Sequence, residues 1–430
     1  MWLGSWIYNI LIIAANVLGV LSTVYHIQYM AVIAFAIILA LIVFYDTSSS
    51  FTTIVSTCLI ANTITYNGVG LYWILMLVSI IKLFFSSKTL PTVGIIPLIL
   101  LYVFHDSNVA NLGIVLNYTV YLLFMFTIMC CFDDSQYDHK KTVFLFIISG
   151  LITIVGAILL TGDLTLLGND SIAYYRLGEG DVDAGMNNNL GGAMEFPIIA
   201  MLVITFSLTL IIGKALTKFV KLIFLFVIVA LFIITFFTTS RVYILGLITL
   251  VLFLGVYIFS SSVKPGAKLS FILIALLSIA TLVQSGYMDI IEYRYGYRDD
   301  NSRLSIAIDC LNFLSNNPIT LFFGEGYRGY INTGRLLGRL FSMSAHNIIL
   351  DCIMAYGLLG IGMILHQTKK MYNRLLPYYD STVLLRWMPV ICWFMMNLTN
   401  SSFMLCKTYV IIPFLIIHLK KCSLLTDKTI

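Results

Sequence analysis

Long apolar runs follow one another along almost the whole chain, and they decide what it can fold into. A helix needs about 20 mostly apolar residues to cross the hydrocarbon core of a bilayer. Runs of that size lie at 5–21, 27–45, 51–66, 70–86, 90–105, 110–132 and 142–161, then at 190–212, 219–238, 241–259, 269–285, 346–366, 383–399 and 403–419. The runs at 51–66 and 90–105 are the least regular, carrying Asn62 and Thr65, and Pro91 and Pro97, respectively. Only 10% of the residues are charged, against about 25% in a soluble domain whose surface must be solvated. The outer solvent of such a chain is lipid. The sequence predicts an all-α polytopic membrane protein with about 14 transmembrane helices (12–14). No basic segment precedes the run at Leu3 to Leu21, so that run reads as the first span rather than a cleavable signal.

The lysines orient this map. Lys88, Lys140, Lys141, Lys214, Lys218, Lys264, Lys268, Lys369, Lys370, Lys420, Lys421 and Lys428 all fall in alternate connections or the C-terminal tail. Lys82 and Lys221 lie near span ends on the same side, and of the lysines only Lys407 falls on the other. Cytoplasmic loops collect basic residues, so those connections and both termini are expected inside. The net charge of +5 is thus a topological signal and does not indicate a nucleic-acid partner. The eight cysteines show no paired ligand spacing, and only Cys310 falls in the large outer loop.

The expected organisation is N-terminal spans over 1–161, an outer loop over 162–189, central spans over 190–285, a large outer loop over 286–345, and C-terminal spans over 346–430. No internal repeat stands out, which argues against an inverted-repeat transporter.

The outer loops carry arginine and no lysine. Arg294, Arg298, Arg303, Arg328, Arg335 and Arg339 lie in the large loop, Arg176 in the smaller one, and Arg241 at an outer turn. A topological bias would deplete both residue types outside, so it does not explain this choice. A planar guanidinium grips phosphate in two-pronged fashion and is weakly hydrated, which suits a partly buried anion site. Asp289, Glu292, Asp299, Asp300, Asp309 and Glu325 share the large loop, so ion pairing within it is the competing reading. Arg176 and Arg241 have no acid immediately beside them, although Glu179 lies near Arg176.

From Asn301 to Asn316 the loop reads as an amphipathic helix on the membrane surface. Leu304, Ile308, Leu311 and Ser315 follow helical spacing, and Ile306, Phe313 and Leu314 broaden the apolar side. Asn301 or Ser302 would cap it, and Pro318 ends the run. Such a helix either roofs a cavity for a lipid-linked substrate or simply covers the bundle.

His346 opens the twelfth apolar run, after Ser342 and Ser344, either of which is a cap by type. The partial positive charge of a helix N-terminus disfavours imidazolium, and a neutral imidazole can take a proton from a sugar hydroxyl. The same exposed amides favour a pyrophosphate. On position alone, an interface histidine is the competing reading.

The stretch His346-Asn347-x-x-Leu350, followed by Gly357-x-x-Gly360, resembles the pattern shared by bacterial O-antigen polymerases (Wzy-type) and O-antigen ligases. So do Arg303, Asn317-Pro318 and Gly324-Glu325-Gly326 ahead of it. Two upstream features are also similar to that superfamily: Ser240-Arg241 at an outer turn, and Arg176 followed by Asn188-Asn189-Leu190-Gly191. The resemblance spans roughly residues 170–365, whereas the first 160 residues match only as generic spans.

The resemblance implies a glycosyltransferase whose donor is an undecaprenyl-pyrophosphate-linked oligosaccharide. It would work on the outer face of the bacterial inner (plasma) membrane. Carried over, Arg176, Arg241 and Arg303 hold the pyrophosphate, His346 is the base, and Arg298, Asn347 and Tyr327 are further substrate-binding candidates. No outer acid pair has a metal-ligand arrangement, so neither a metal nor another cofactor is expected. Partners implied are the lipid-linked substrate, the bilayer and a chain-length-regulating membrane protein, with no nucleic acid.

A polymerase transfers the growing glycan to another lipid-linked repeat, and a ligase transfers it to the lipid A core. Tyr174, Tyr175, Tyr293, Tyr295, Tyr297, Tyr327 and Tyr330 favour the polymerase, because tyrosine stacks on sugar faces. Interfacial aromatic belts are equally Tyr-rich. A lipid-linked oligosaccharide flippase would call for charges deep in the bundle, and the span centres here are nearly free of them.

Overall fold

The computed structural model describes residues 2–86, 112–161, 195–212, 216–236, 241–260, 265–266, 268–269, 271–273, 301–326, 336–338, 344–375, 383–399 and 406–421. The span expected at 90–105, most of that at 269–285, and the loop 162–189 lie outside these residues.

The described chain is helical almost throughout. Its helices are α1 (Trp2–Val24), α2 (Gln28–Phe44), α3 (Thr47–Thr57), α4 (Tyr72–Ser86), α5 (Leu112–Cys131), α6 (His139–Thr161), α7 (Glu195–Ile212), α8 (Lys218–Phe236) and α9 (Arg241–Ser260). There follow α10 (Asn301–Asn316), α11 (Pro318–Phe323), α12 (Ile348–Arg374), α13 (Val383–Thr399) and α14 (Cys406–Lys421). Among the described residues six helices are long and apolar enough to cross a membrane: α1, α6, α7, α8, α9 and α12. The protein is an all-α membrane protein. Among the described residues one two-stranded hairpin interrupts the helices, with β1 (Thr65–Tyr66) pairing β2 (Val69–Gly70). It turns at Asn67 and Gly68, both left-handed, the turn type that matches strand twist.

The irregular run at 51–66 has a physical explanation. It folds as α3, then a 3-10 turn over Cys58–Thr63, then β1. Ser48, Ser50, Thr52, Thr53, Ser56 and Thr57 are all buried among other helices, so this element needs no lipid-facing apolar surface. Thr53 and Thr57 donate back to the carbonyls of Ser49 and Thr53, which satisfies their hydroxyls within the helix. Across helices, Tyr8 bonds Thr53, Tyr72 bonds Thr57, Thr52 bonds Thr142, and Asn16 joins the Ser56 carbonyl to the Ser149 hydroxyl.

Side-chain contacts sort the helix ends into two sets. At one end Lys82 donates to carbonyls at the close of α2, and Lys141 lies 4.1 Å from the centre of the Tyr8 ring. Arg374, closing α12, donates to Cys130, to Met129 at 3.0 Å and to Phe132 at 3.2 Å, capping the free carbonyls of α5. His139 meets His418 at 2.9 Å, and Lys421 pairs with Asp134 at 2.7 Å. At the opposite end, the start of α12 meets the close of α13, where Asn347 donates to the Leu398 carbonyl. Gly246 packs against Met396 and Met201, bringing the start of α9 to the same end. Lys407, the one lysine at that end among the described residues, is buried in an ion pair with Glu195 at the starts of α14 and α7. The departure from the charge pattern is therefore neutralised inside the bundle.

Candidate functional site

The site is built around the turn that leads into α12. The sequence offered Ser342 or Ser344 as its cap. The cap is instead Asn347, whose Oδ1 accepts from the amides of Ile349 and Leu350 at 3.0 and 3.2 Å. Ser344 serves the turn differently: its hydroxyl accepts the His346 amide at 3.3 Å and lies 3.5 Å from His346 Nδ1. Ser342 lies outside the described residues.

His346 is half-buried and adopts a left-handed backbone, φ 54°. Non-glycine residues take that conformation only when their surroundings hold it, and such residues cluster at functional sites. Several groups hold it here. Asp351, fully buried one turn inside α12, accepts the Ala345 amide at 2.8 Å. Its own amide donates to the Asn347 carbonyl. Ala345 is buried against Ile306, Cys310 and Leu350.

Those contacts bring α10 onto the turn. The helix spans the residues expected of it, Asn301–Asn316, and Pro318 begins α11 as its first residue, where a missing amide costs nothing. Its packing face differs from the expected stripe. Ile306, Cys310 and Leu314 are buried, whereas Leu304, Ile308 and Leu311 are exposed, together with Ile319, Phe322 and Phe323 of α11. The helix is thus apolar on two sides, one packed on the bundle and the other exposed.

The glycines of the motif are explained by backbone contact. Gly357 interrupts α12 with φ 64° and ψ 179°, and Gly324 ends α11 with φ 73° and ψ −177°. Only glycine is at ease in that region. A Cβ on Gly357 would stand 2.4 Å from the Phe322 carbonyl, and one on Gly324 would stand 2.4 Å from the Ala355 carbonyl. The two backbones thus lie directly against each other, and the Glu325 amide donates to the Met354 carbonyl at 2.8 Å. Thr320 donates to Glu325 Oε1 at 2.7 Å, so that acid is engaged locally. Gly357 is nine residues past Ile348, or about 14 Å along a helix. The end of α11 therefore lies beside α12 about 14 Å along it from Ile348.

Of the candidates read from sequence, His346 and Asn347 are adjacent in this turn, with the polar atoms of Asn347 committed to the cap and to Leu398. Backbone alone is described at Arg303 and Arg241. Arg303 lies in the first turn of α10, one turn ahead of Ile306, which touches the His346 turn. Arg241 begins α9, at the end of the bundle where Asn347 meets Leu398. Arg176, Arg298 and Tyr327 lie outside the described residues. Two supporting groups went unread: Asp351, whose signal was an acid at an apolar helix start, and Glu195, whose signal was an acid opposite the stray Lys407.

No curated protein and no solved structure matches the chain. Residues 224–365 match the family model described as O-antigen ligase. The match takes in Arg241, Arg298, Arg303, Tyr327, His346 and both motif glycines, and leaves Arg176 outside it. Over these residues the chain is similar to the O-antigen ligase family, which is consistent with the resemblance to the O-antigen polymerase and ligase superfamily.

Proposed function

We propose that the protein is a polymerase of lipid-linked polysaccharide repeat units, of the O-antigen or capsular kind. The growing glycan passes from undecaprenyl pyrophosphate to a sugar hydroxyl of another lipid-linked repeat. The observation that carries the reading is the built turn at His346: a left-handed histidine at the start of an apolar helix, with α10 packed on it inside the family-matched segment. His346 takes the proton of the acceptor hydroxyl, and that oxygen attacks the anomeric carbon. The bond to the diphosphate breaks with its electron pair, and undecaprenyl pyrophosphate leaves. Arg176, Arg241 and Arg303 supply the charge that stabilises the departing diphosphate, in place of a metal ion. Asn347 holds the turn, and Arg298 and Tyr327 contact the substrate.

The segregation of lysine and arginine supports an active site on the extracytoplasmic face of the plasma membrane, in a bundle of fourteen spans with both termini inside. The exposed apolar stripe of α10 and α11 supports lateral access for a lipid-linked substrate. The description of the matched family favours a second reading, transfer to the lipid A core. Reconstitution with the undecaprenyl-pyrophosphate repeat unit alone separates the two. A ladder of sugar products establishes the polymerase, product only after addition of lipid A core establishes the ligase, and transport without bond formation defeats both.

A further inference from the structure

We infer that Asp351 is a positioning residue that sets the orientation of His346 through the turn at 344–347. The inference rests on His346 being the catalytic base. Asp351 is fully buried, and its Oδ1 accepts the amide of Ala345, the residue directly before His346, at 2.8 Å. The carboxylate reaches back across the cap, while its own amide is fixed to the Asn347 carbonyl. Ala345 is itself buried in one apolar cluster with Ile306, Cys310 and Leu350. The peptide leading into His346 is therefore held between a carboxylate and an apolar seat, and His346 keeps its left-handed φ of 54°.

A carboxylate suits this task better than a neutral acceptor. Hydrogen bonds to an ionised acceptor are shorter and roughly twice as strong as neutral ones. A negative charge in the first turn of a helix is also favoured by the helix dipole, which offsets part of the cost of burying it. An acid that accepts the amide directly before His346 specifies the geometry of the turn.

The test compares Asp351→Ala and Asp351→Asn in the wild-type and His346→Ala backgrounds. Two quantities are read: kcat for glycan transfer, and the rate at which diethyl pyrocarbonate modifies His346, by peptide mass, relative to exposed His26. Positioning predicts that Asp351→Ala lowers kcat by about 10²-fold, the loss expected of an ångström-scale misplacement, with little change in KM. Asp351→Asn recovers part of that loss. In the His346→Ala background Asp351→Ala costs little more, because residues acting as a unit are not additive. The modification rate of His346 shifts severalfold while that of His26 stays constant. Equal loss of kcat in both backgrounds, or an unchanged His346 to His26 ratio, overturns the inference. Full activity in His346→Ala overturns the base assignment instead, and the modification ratio still reports whether Asp351 holds the turn.

Discussion

Replacing Gly357 by alanine tests how the motif glycines work. The new Cβ would stand 2.4 Å from the Phe322 carbonyl carbon and oxygen and 2.5 Å from the Phe323 nitrogen, all backbone atoms that no rotamer change can clear. The φ of 64° and ψ of 179° add strain of about 1–3 kcal/mol, and overpacking adds about 1–3 kcal/mol more. Alanine returns about 0.4–1 kcal/mol through the lower entropy of its unfolded chain. The expected net loss is thus about 1–6 kcal/mol, read as a lower midpoint of thermal unfolding in detergent by tryptophan fluorescence. Gly324→Ala meets the Ala355 carbonyl at 2.4 Å and should behave alike. Once either substitution has parted α11 from α12 the second has less to break, so the double variant should lose less than the two singles together. Gly362→Ala is the control: nothing lies within 4 Å of its added Cβ, so it should be neutral or stabilising. If Gly357→Ala melts like Gly362→Ala, the close approach of the two backbones is wrong.

Breaking the buried pair with Lys407→Met or Glu195→Gln should cost about 3–5 kcal/mol each in thermal unfolding, because either leaves an uncompensated charge, and Lys407→Met with Glu195→Leu should recover most of it. Asn347→Ala should cost about 1 kcal/mol through loss of the cap. Asn347→Asp, which keeps the acceptor but loses the bond to Leu398, should retain more stability. Asp46 caps α3 and feels two opposing influences: burial raises its pKa, and the hydrogen bonds from the Ser49 amide and hydroxyl outweigh it, leaving the pKa lowered. A lowered folded-state pKa gives stability that is present above the ordinary carboxylate range and lost as pH falls through the folded value. Acid titration of the melting temperature should therefore show a smaller low-pH loss in Asp46→Asn than in the wild type.

Much of the fold is legible because lipid leaves the backbone few options. Within the described residues the long apolar runs are helical apart from the one at 51–66, and α10 begins and ends where periodicity and Pro318 put it. What was not legible depends on partners distant in sequence. The hydroxyl-rich α3 looks like a poor span, yet it is central because Tyr8 and Asn16, Tyr72, and Thr142 reach it from three other helices. The buried face of α10 could not be told from the exposed one, since both are apolar and only contact with Ala345 and Leu350 selects it. Lys407 looks like an exception to the charge pattern until Glu195 is seen beside it. In the candidate site His346 and Asn347 were readable from the motif, but the roles of the turn were not. The cap passes from serine to Asn347, and Asp351 matters only because the chain folds back six residues to Ala345.

The most direct test of the account is glycan transfer by the reconstituted protein with His346 replaced by alanine or asparagine. The wild type is run beside each variant with the undecaprenyl-pyrophosphate repeat unit, and the release of undecaprenyl pyrophosphate is followed together with the product ladder. The account predicts that both variants fold, bind the donor, and lose about 10²–10⁴-fold in rate, the range for removal of a general base. A ladder and a release rate close to wild type in either variant would contradict it.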